Sequence, residues 1–289
     1  MLKTAGQHCP FCSGSSRFYV EVFGDQLWKC RTCGLVFLAP FPGQHEMIRR
    51  HQTKEYSDHP YFIAGERAAQ HEGIDSHRLL LEKLTAQLPR GARVLDVGAG
   101  SGDVLKLLAD NFQVTGIEPS PYLAERIRQR LDCPLFVGPF EEFQPEERFD
   151  AVLFVDIIEH AADPRVLLEK AWSVLRPGGL VFISTLNSSS LLYRLGPLFS
   201  KLGRILPLAR YVLHRVFCYQ HNWYFNQRVL GELVSSTGFQ VVEQQGFEFP
   251  LNRLNENRLL VAGLQAVYLL QRVLGSQTEQ YLHGRKDAA

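Results

Sequence analysis

The stretch VLDVGAGSGD, residues 94–103, runs from an apolar segment into one carboxylate and three glycines, and a second carboxylate follows at Glu118. Gly98, Gly100 and Gly102 repeat as G-x-G-x-G, which lets the backbone come close to a ligand where a side chain would intrude. This differs from the G-x-G-x-x-G loop that seats a pyrophosphate on a helix N-terminus. Asp96, just ahead of the loop, would repel a pyrophosphate, whereas an ammonium group needs an anionic partner. Glu118 closes the next apolar segment, FQVTGIE, where an acidic side chain can accept hydrogen bonds from ribose hydroxyls. A ribose joined to a cationic amino-acid tail suits both charges, and S-adenosylmethionine has that chemistry.

Two further groups of residues could do chemistry. Four of the six cysteines form two C-x-x-C turns, Cys9 with Cys12 and Cys30 with Cys33, and a glycine stands just beyond each pair at Gly14 and Gly34. Such turns can bring four thiolates to the corners of a tetrahedron around Zn2+. Between them, SRFYVEVFGDQLWKC reads as a hairpin about Gly24-Asp25 that returns the second pair to the first. The expectation is a zinc ribbon over residues 1–40 with a structural ion, because four protein ligands leave no position for water or substrate. Cys133 is expected to pack near a strand, and Cys218 lies close in sequence to His221. Further on, Asp156, Glu159 and His160 form D-x-x-E-H, which puts three polar ligands within one turn and permits a divalent cation such as Mg2+. His160 and His221 are also candidate bases for a substrate hydroxyl, although packing or hydrogen bonding would account for either histidine equally well.

The elements that must position these residues follow from periodicity. Strands are expected at 93–97, 113–117, 134–137, 150–155 and 180–185, alternating with helices. Ser120-Pro121 and Asp163-Pro164 each place a capping side chain before a proline in the first helical turn. Such alternation builds a parallel sheet covered on both faces, with the ligand across the carboxyl ends of the strands. A helix precedes the first strand, where Leu79, Leu80, Leu84 and Leu88 recur from about Ser76. Residues 41–75 read as a connector with one or two short helices lying over the mouth of the site.

Residues 188–220 form an insertion. Between 191 and 217 its apolar positions recur at helical spacing, with Arg194, Lys201, Arg204, Arg210 and Arg215 between them, and no acidic residue occurs from 170 to 231. The expectation is an amphipathic lid whose greasy face rests on the protein itself or on an anionic membrane surface. FQVVEQQGFEFPLNRLNENRLLVAG reads as a final strand pair, LQAVYLLQRVL as an apolar helix and GSQTEQYLHGRKDAA as a frayed polar tail, so 265–289 is a helix and tail.

At 289 residues the chain can hold one large domain and a small module. With 45% hydrophobic residues, 21% charged residues and a net charge of +1, it has no basic excess for nucleic acid, and the expected partner is a small molecule. It shows neither a basic-then-apolar leader nor an apolar run of about 18 residues, so the expected location is cytoplasmic, peripheral at a membrane at most.

From about Ser76 to Gly263 the sequence resembles the class I S-adenosylmethionine-dependent methyltransferases, which implies an α/β, Rossmann-like seven-stranded sheet over 76–264. VLDVGAGSG is similar to their first motif, FDAVLFVDIIEH to the fourth strand and following loop, and VLRPGGLVFISTLN to the turn and fifth strand. The resemblance implies that Gly98, Ala99, Gly100 and Gly102 line the methionine and ribose. It also puts Glu118 with Pro119 at the ribose hydroxyls and Phe140 in the adenine region, while the element order projects Asp156 toward the cofactor from the carboxyl ends of the strands and leaves His160 at the cofactor edge. More narrowly, STLN, the amphipathic insertion and HNWYF resemble the ubiquinone-biosynthesis O-methyltransferases, which implies a lipid-facing insertion and a divalent ion beside Asp156, Glu159 and His160. Those enzymes lack an N-terminal cysteine module. Methyltransferases that carry one more often act on sugars, nucleotide-linked sugars or other secondary metabolites. O-methylation of a small molecule is the favoured reading. A non-catalytic zinc-ribbon adaptor and an RNA methyltransferase with the ribbon as reader are the alternatives.

Overall fold

The computed structural model describes residues 7–42, 49, 52–54, 75–217, 220–248 and 258–288. Cys218 and most of the connector expected over 41–75 lie outside the described residues.

β1 (Ser16–Val22) and β2 (Asp25–Cys30) form the expected hairpin, and β3 (Val36–Leu38) follows the second cysteine pair. α1 (Asp75–Thr85) buries Leu80 and Leu84. The alternating region runs β4 (Arg93–Val97), α2 (Asp103–Leu108), β5 (Gln113–Glu118), α3 (Pro121–Arg130), β6 (Leu135–Val137), β7 (Phe149–Val155), α4 (Pro164–Val174) and β8 (Leu175–Leu186). α3 and α4 start where the capping signals fall: the Ser120 side chain accepts from Leu123 N, and that of Asp163 from Arg165 N. The insertion is three short helices, α5 (Leu191–Arg194), α6 (Gly196–Leu202) and α7 (Pro207–Val216), with Pro197 and Pro207 each in a first turn. Then come β9 (Trp223–Tyr224), α8 (Gln227–Ser236), β10 (Gln240–Phe247), α9 (Arg258–Val273) and β11 (Glu279–Arg285).

The main sheet has the order β10-β11-β8-β7-β4-β5-β6, parallel from β8 to β6, with β11 antiparallel to both of its neighbours. The order reverses between β4 and β7, the point where a crevice opens at the carboxyl ends of such a sheet. Both faces are buried, so β4 divides its residues: Leu95 and Val97 pack in one apolar cluster with Ile117 and Phe154, and Val94 in the other with Leu153 and Tyr281. This two-sided burial is why the strands read as unbroken apolar segments.

The C-terminal residues differ from expectation. The supposed polar tail holds β11, a strand buried between β8 and β10, and among the described residues the segment expected to supply a strand pair supplies β10 and the start of α9. Two polar side chains of β11 find partners inside: Gln280 Nε2 donates to the carbonyls of Leu186 and Phe225 at 2.9 and 3.1 Å, and the Tyr281 hydroxyl donates to Glu243. Composition therefore suggested solvent where the strand meets partners.

The N-terminal strands form a second sheet, β1-β2-β3-β9, whose last strand comes from beyond the insertion. Trp28, Leu35 and Phe37 join the main core beside Trp223 and Phe225. On its other side, Tyr19, Val20, Leu27 and Val36 pack against Tyr193, Leu213 and Phe217 of the insertion, and the Tyr19 hydroxyl donates to the Tyr193 carbonyl at 2.6 Å. The apolar residues of the insertion thus divide. One set is buried against the N-terminal sheet, whereas Leu198, Ile205 and Leu208 are exposed. No helix among the described residues is long and apolar enough to cross a membrane.

Candidate functional site

β4 carries Asp96 toward the rim of the sheet, and the chain then turns through Gly98, Ala99, Gly100 and Gly102. The amides of Gly98 and Ala99 both donate to the Ile117 carbonyl, at 2.8 and 2.9 Å, which ties the loop to β5. Gly98 has a φ of +76°, and a Cβ there would meet Ile157 Cδ1 at 2.2 Å, so only glycine fits. Glu118 reaches back from the end of β5: its Oε2 accepts from Gly100 N and its Oε1 from Ser120 N, each at 2.8 Å, with Pro119 between.

Asp96 is 2% exposed and its Oδ2 has no hydrogen-bond partner. Burial pushes its carboxyl up to about 7. Burial also raises Glu118 to about 7, opposed by the amides of Ser120 and Gly100 and reinforced by the nearby Asp96. A buried carboxylate oxygen with no donor is costly, and a cation or a hydroxyl group arriving beside it would relieve that cost. Phe140 starts a 3-10 turn after β6; it is 3% exposed and meets Phe154 edge-on at 5.9 Å between ring centroids.

After β7 the backbone makes a left-handed step at Asp156, with φ +55°, and a 3-10 turn, Ile158–His160, follows. Glu159 is 1% exposed, and its Oε2 accepts from Thr185 Oγ1 at 2.8 Å. Burial, helped by the negative charge of Asp156, pushes Glu159 up to about 8. His160 Nδ1 donates to the Gln220 carbonyl at 3.1 Å, so a neutral ring presents Nε2 as its acceptor. Residues 221–223 are bound to this turn: Asn222 N donates to the Glu159 carbonyl and Asn222 Nδ2 to that of His160, both at 2.9 Å, and Trp223 Nε1 to that of Ala161 at 2.8 Å. His221 is thereby held 4.5 Å from His160, ring to ring.

One ligand atom each from Glu159, His160 and His221 lie within 4.8 Å of one another, a donor set that could hold a divalent ion. The sequence placed Asp156 in this set; the structure replaces it with His221. The spacing D-x-x-E-H presupposes a continuous turn, and the left-handed residue at Asp156 interrupts it. Two imidazoles and one carboxylate also suit a borderline ion such as Zn2+ better than Mg2+.

Asp156 instead lines a cavity at the carboxyl ends of β7 and β8, with Ser184, Glu279 and Tyr281 as further polar groups and Leu79, Phe182 and Phe247 as apolar walls. His77 of α1 borders it as well. Sequence reasoning missed Glu279 and Tyr281 because they lie in the supposed tail. The signal was the Tyr281-Leu282 pair, two bulky side chains in an otherwise polar segment after Gly275.

The four cysteines converge as expected, with all four sulfurs within 4.8 Å of one another. Cys9 and Cys33 sulfurs are 3.6 Å apart and those of Cys12 and Cys30 3.5 Å, close to the roughly 3.8 Å edge of a tetrahedron with bonds of about 2.3 Å. Burial works against the Cys30 thiolate, yet N–H donors from Cys33 and Thr32 and neighbouring thiols bring it down to about 6, while burial raises Cys9 and Cys33. The donor chemistry fits a structural Zn2+ ion. Metal analysis should find one equivalent per chain, and Cys30→Ser should lose it and melt about 10 °C lower, the effect of a few kcal/mol in a domain of this size. Retained zinc with unchanged melting would refute the site.

The sequence profile described as "Methyltransferase domain" matches residues 69–244, more than half of the chain. The chain belongs to this methyltransferase family. Its seven-stranded sheet is the Rossmann-like fold that the sequence implied. Among curated proteins, the ubiquinone biosynthesis O-methyltransferase of Xanthomonas axonopodis pv. citri is 35% identical over 137 residues, covering 44% of this chain and 57% of that protein. The chain thus spans little more than half the length of this relative. Among solved structures, Haemonchus contortus phosphoethanolamine N-methyltransferase 2 in complex with S-adenosyl-L-methionine superposes with a TM-score of 0.57 at 20% identity, covering 94% of this chain and 69% of that one. Burkholderia thailandensis 1,6-didemethyltoxoflavin-N1-methyltransferase, with bound 1,6-didemethyltoxoflavin and S-adenosylhomocysteine, gives 0.54 at 19% identity, covering 94% and 99%. At these identities the structural likeness establishes the fold.

Proposed function

We propose that the protein transfers a methyl group from S-adenosylmethionine to a hydroxyl of a small molecule. The observation that carries this reading is Asp96, a buried carboxylate with an unmet oxygen, set beside a loop whose Gly98 admits no side chain. Asp96 would pair with the cofactor's ammonium group, and Glu118, held by the amides of Gly100 and Ser120, would accept from the ribose hydroxyls. The bound cofactor supplies an electrophilic methyl on a sulfonium.

The work left to this chain is to hold the acceptor in line and take up its proton. The small cavity bordered by Asp156, Ser184 and Glu279, about 20 Å³, offers polar partners for a hydroxyl group. His160 Nε2, fixed as an acceptor by the bond from Nδ1 to Gln220, is the best-oriented base, with His221 and Glu159 beside it. In the alternative arrangement, an ion held by Glu159, His160 and His221 would occupy the His160 Nε2 lone pair and lower the pKa of a coordinated hydroxyl, replacing the histidine as the means of activating it.

The intact protein, incubated with methyl-labelled cofactor and separate aqueous and organic-soluble metabolite fractions, should label an acceptor in one of them. An aqueous product favours a sugar-like acceptor and an organic-soluble one a quinone-like acceptor, consistent with the Xanthomonas relative. Saturable cofactor binding with no transfer to either fraction would overturn the enzymatic reading.

A further inference from the structure

On the outer side of the cysteine turns, Arg17, Lys29 and Arg31 border a pocket floored by residues 30–34. Arg17 and Lys29 are direct partners in the β1–β2 register, and Arg31 follows two residues after Lys29. Like charges opposed across a ladder destabilise it. Among the described residues, no carboxylate forms an ion pair with any of the three, and none of the three makes a side-chain hydrogen bond. Lys29 is instead steadied over the Tyr19 ring, 5.1 Å from its centroid. Arg194 of α5 brings a fourth cation: burial pushes the Tyr19 hydroxyl up to about 12, and Arg17 and Arg194 stand near enough to pull against that rise. Four thiolates around one Zn2+ would carry two net negative charges, too few to balance four cations. An unbalanced cluster of this kind is held together most economically by an anion.

We propose that this pocket binds the phosphate of a small molecule, as a monoester or a diphosphate. Two guanidiniums offer planar forks for phosphate oxygens, Lys29 supplies a point charge, and Thr32, an exposed residue, lines the same pocket. A nucleic acid would need a longer track of contacts than one pocket gives, and the chain's net charge is only +1. No residue of the glycine loop lines this pocket, and the site does not depend on the methyl-transfer reading.

The test is calorimetric titration of the intact, zinc-loaded protein with pyrophosphate at low salt. Saturable binding is expected, weakened about tenfold or more in Arg17→Gln and in Arg31→Gln. Both side chains are exposed, so zinc content and melting should stay unchanged in the variants. Three outcomes overturn the proposal. The first is no binding, or binding that both variants retain. The second is zinc loss in the variants, which would assign the cations to the thiolate cluster. The third is capture of a short single-stranded RNA that pyrophosphate does not displace and the variants weaken, which would make this a nucleic-acid surface.

Discussion

Truncation after Ser276 should abolish cooperative folding. The deletion removes β11, whose Tyr281 and Leu282 are buried and which pairs with β8 along Leu180–Leu186 and with β10 along Gln240–Phe247. Burial of two such side chains contributes about 1.5–3 kcal/mol each, and loss of the strand also strips hydrogen-bond partners from the buried β8 and the edge strand β10. Together these losses match a typical net stability of about 5–15 kcal/mol. Removal of residues 287–289 is the control, because Asp287 and Ala288 are exposed, whereas Lys286 donates to the carbonyls of Trp172 and Leu175 at 2.7 and 2.9 Å. The readout is solubility and calorimetric melting. A sharp transition in the 276-residue chain would mean that the sheet closes without its antiparallel centre.

Asp96→Asn should weaken S-adenosylhomocysteine binding by about 10- to 100-fold, the effect of losing a charge-assisted bond of about 1.5–3 kcal/mol. The ligand-free variant should melt no lower than the wild type at pH 8. The folded-state pKa of Asp96, about 7, lies above the ordinary value near 4, so stability present at low pH is lost as pH rises toward 7 and beyond. A neutral amide removes that loss. A purely structural Asp96 would give the opposite pattern, lower melting with affinity intact.

The same carboxylates set a pH dependence. A bound ammonium group favours the ionised form of Asp96 and ribose hydroxyl donors that of Glu118, so binding below about pH 7 releases protons, and wild-type affinity should rise from pH 6 to pH 7.5 by up to about tenfold per carboxylate. Titrations in buffers of different ionisation enthalpy would measure the proton count. A flat profile would mean that neither Asp96 nor Glu118 meets the ligand as a carboxylate.

Much of this was readable in the chain because the relevant signals are local. Two-sided burial makes β4 and β7 largely apolar segments, and Ser120 and Asp163 mark helix starts through a single side chain each. The cysteine cluster was readable for the same reason, since spacing within a turn fixes where two sulfurs point. What failed was set by distant partners. β11 looked polar because Gln280, Tyr281 and His283 find their partners on β8, β10 and the segment after α1. His221 entered the Glu159-His160 group only because Asn222 and Trp223 bind a turn some 60 residues earlier, which no local pattern announces. The insertion was expected as an amphipathic lid resting on the protein itself or on a membrane surface; which face of the protein receives it was not readable, because Tyr193 and Phe217 pack on the N-terminal sheet, a surface that exists only in the folded molecule.

The pairing of β3 with β9 also sets an order of events during synthesis. Phe37 waits for Trp223, and Val36 for Tyr224, residues made 186 and 188 positions later, from 37 to 223 and from 36 to 224. At about 5–20 residues per second, the ribosome takes roughly 10–40 s to supply that last strand. Through that interval the first hairpin carries an open edge at β3, and its Trp28, Leu35 and Phe37 lack the aromatic residues that later cover them. Metal captured early by the four cysteines would hold this nascent piece in register until its partner leaves the exit tunnel. A cell short of zinc would then lose this protein by aggregation while it is still being made.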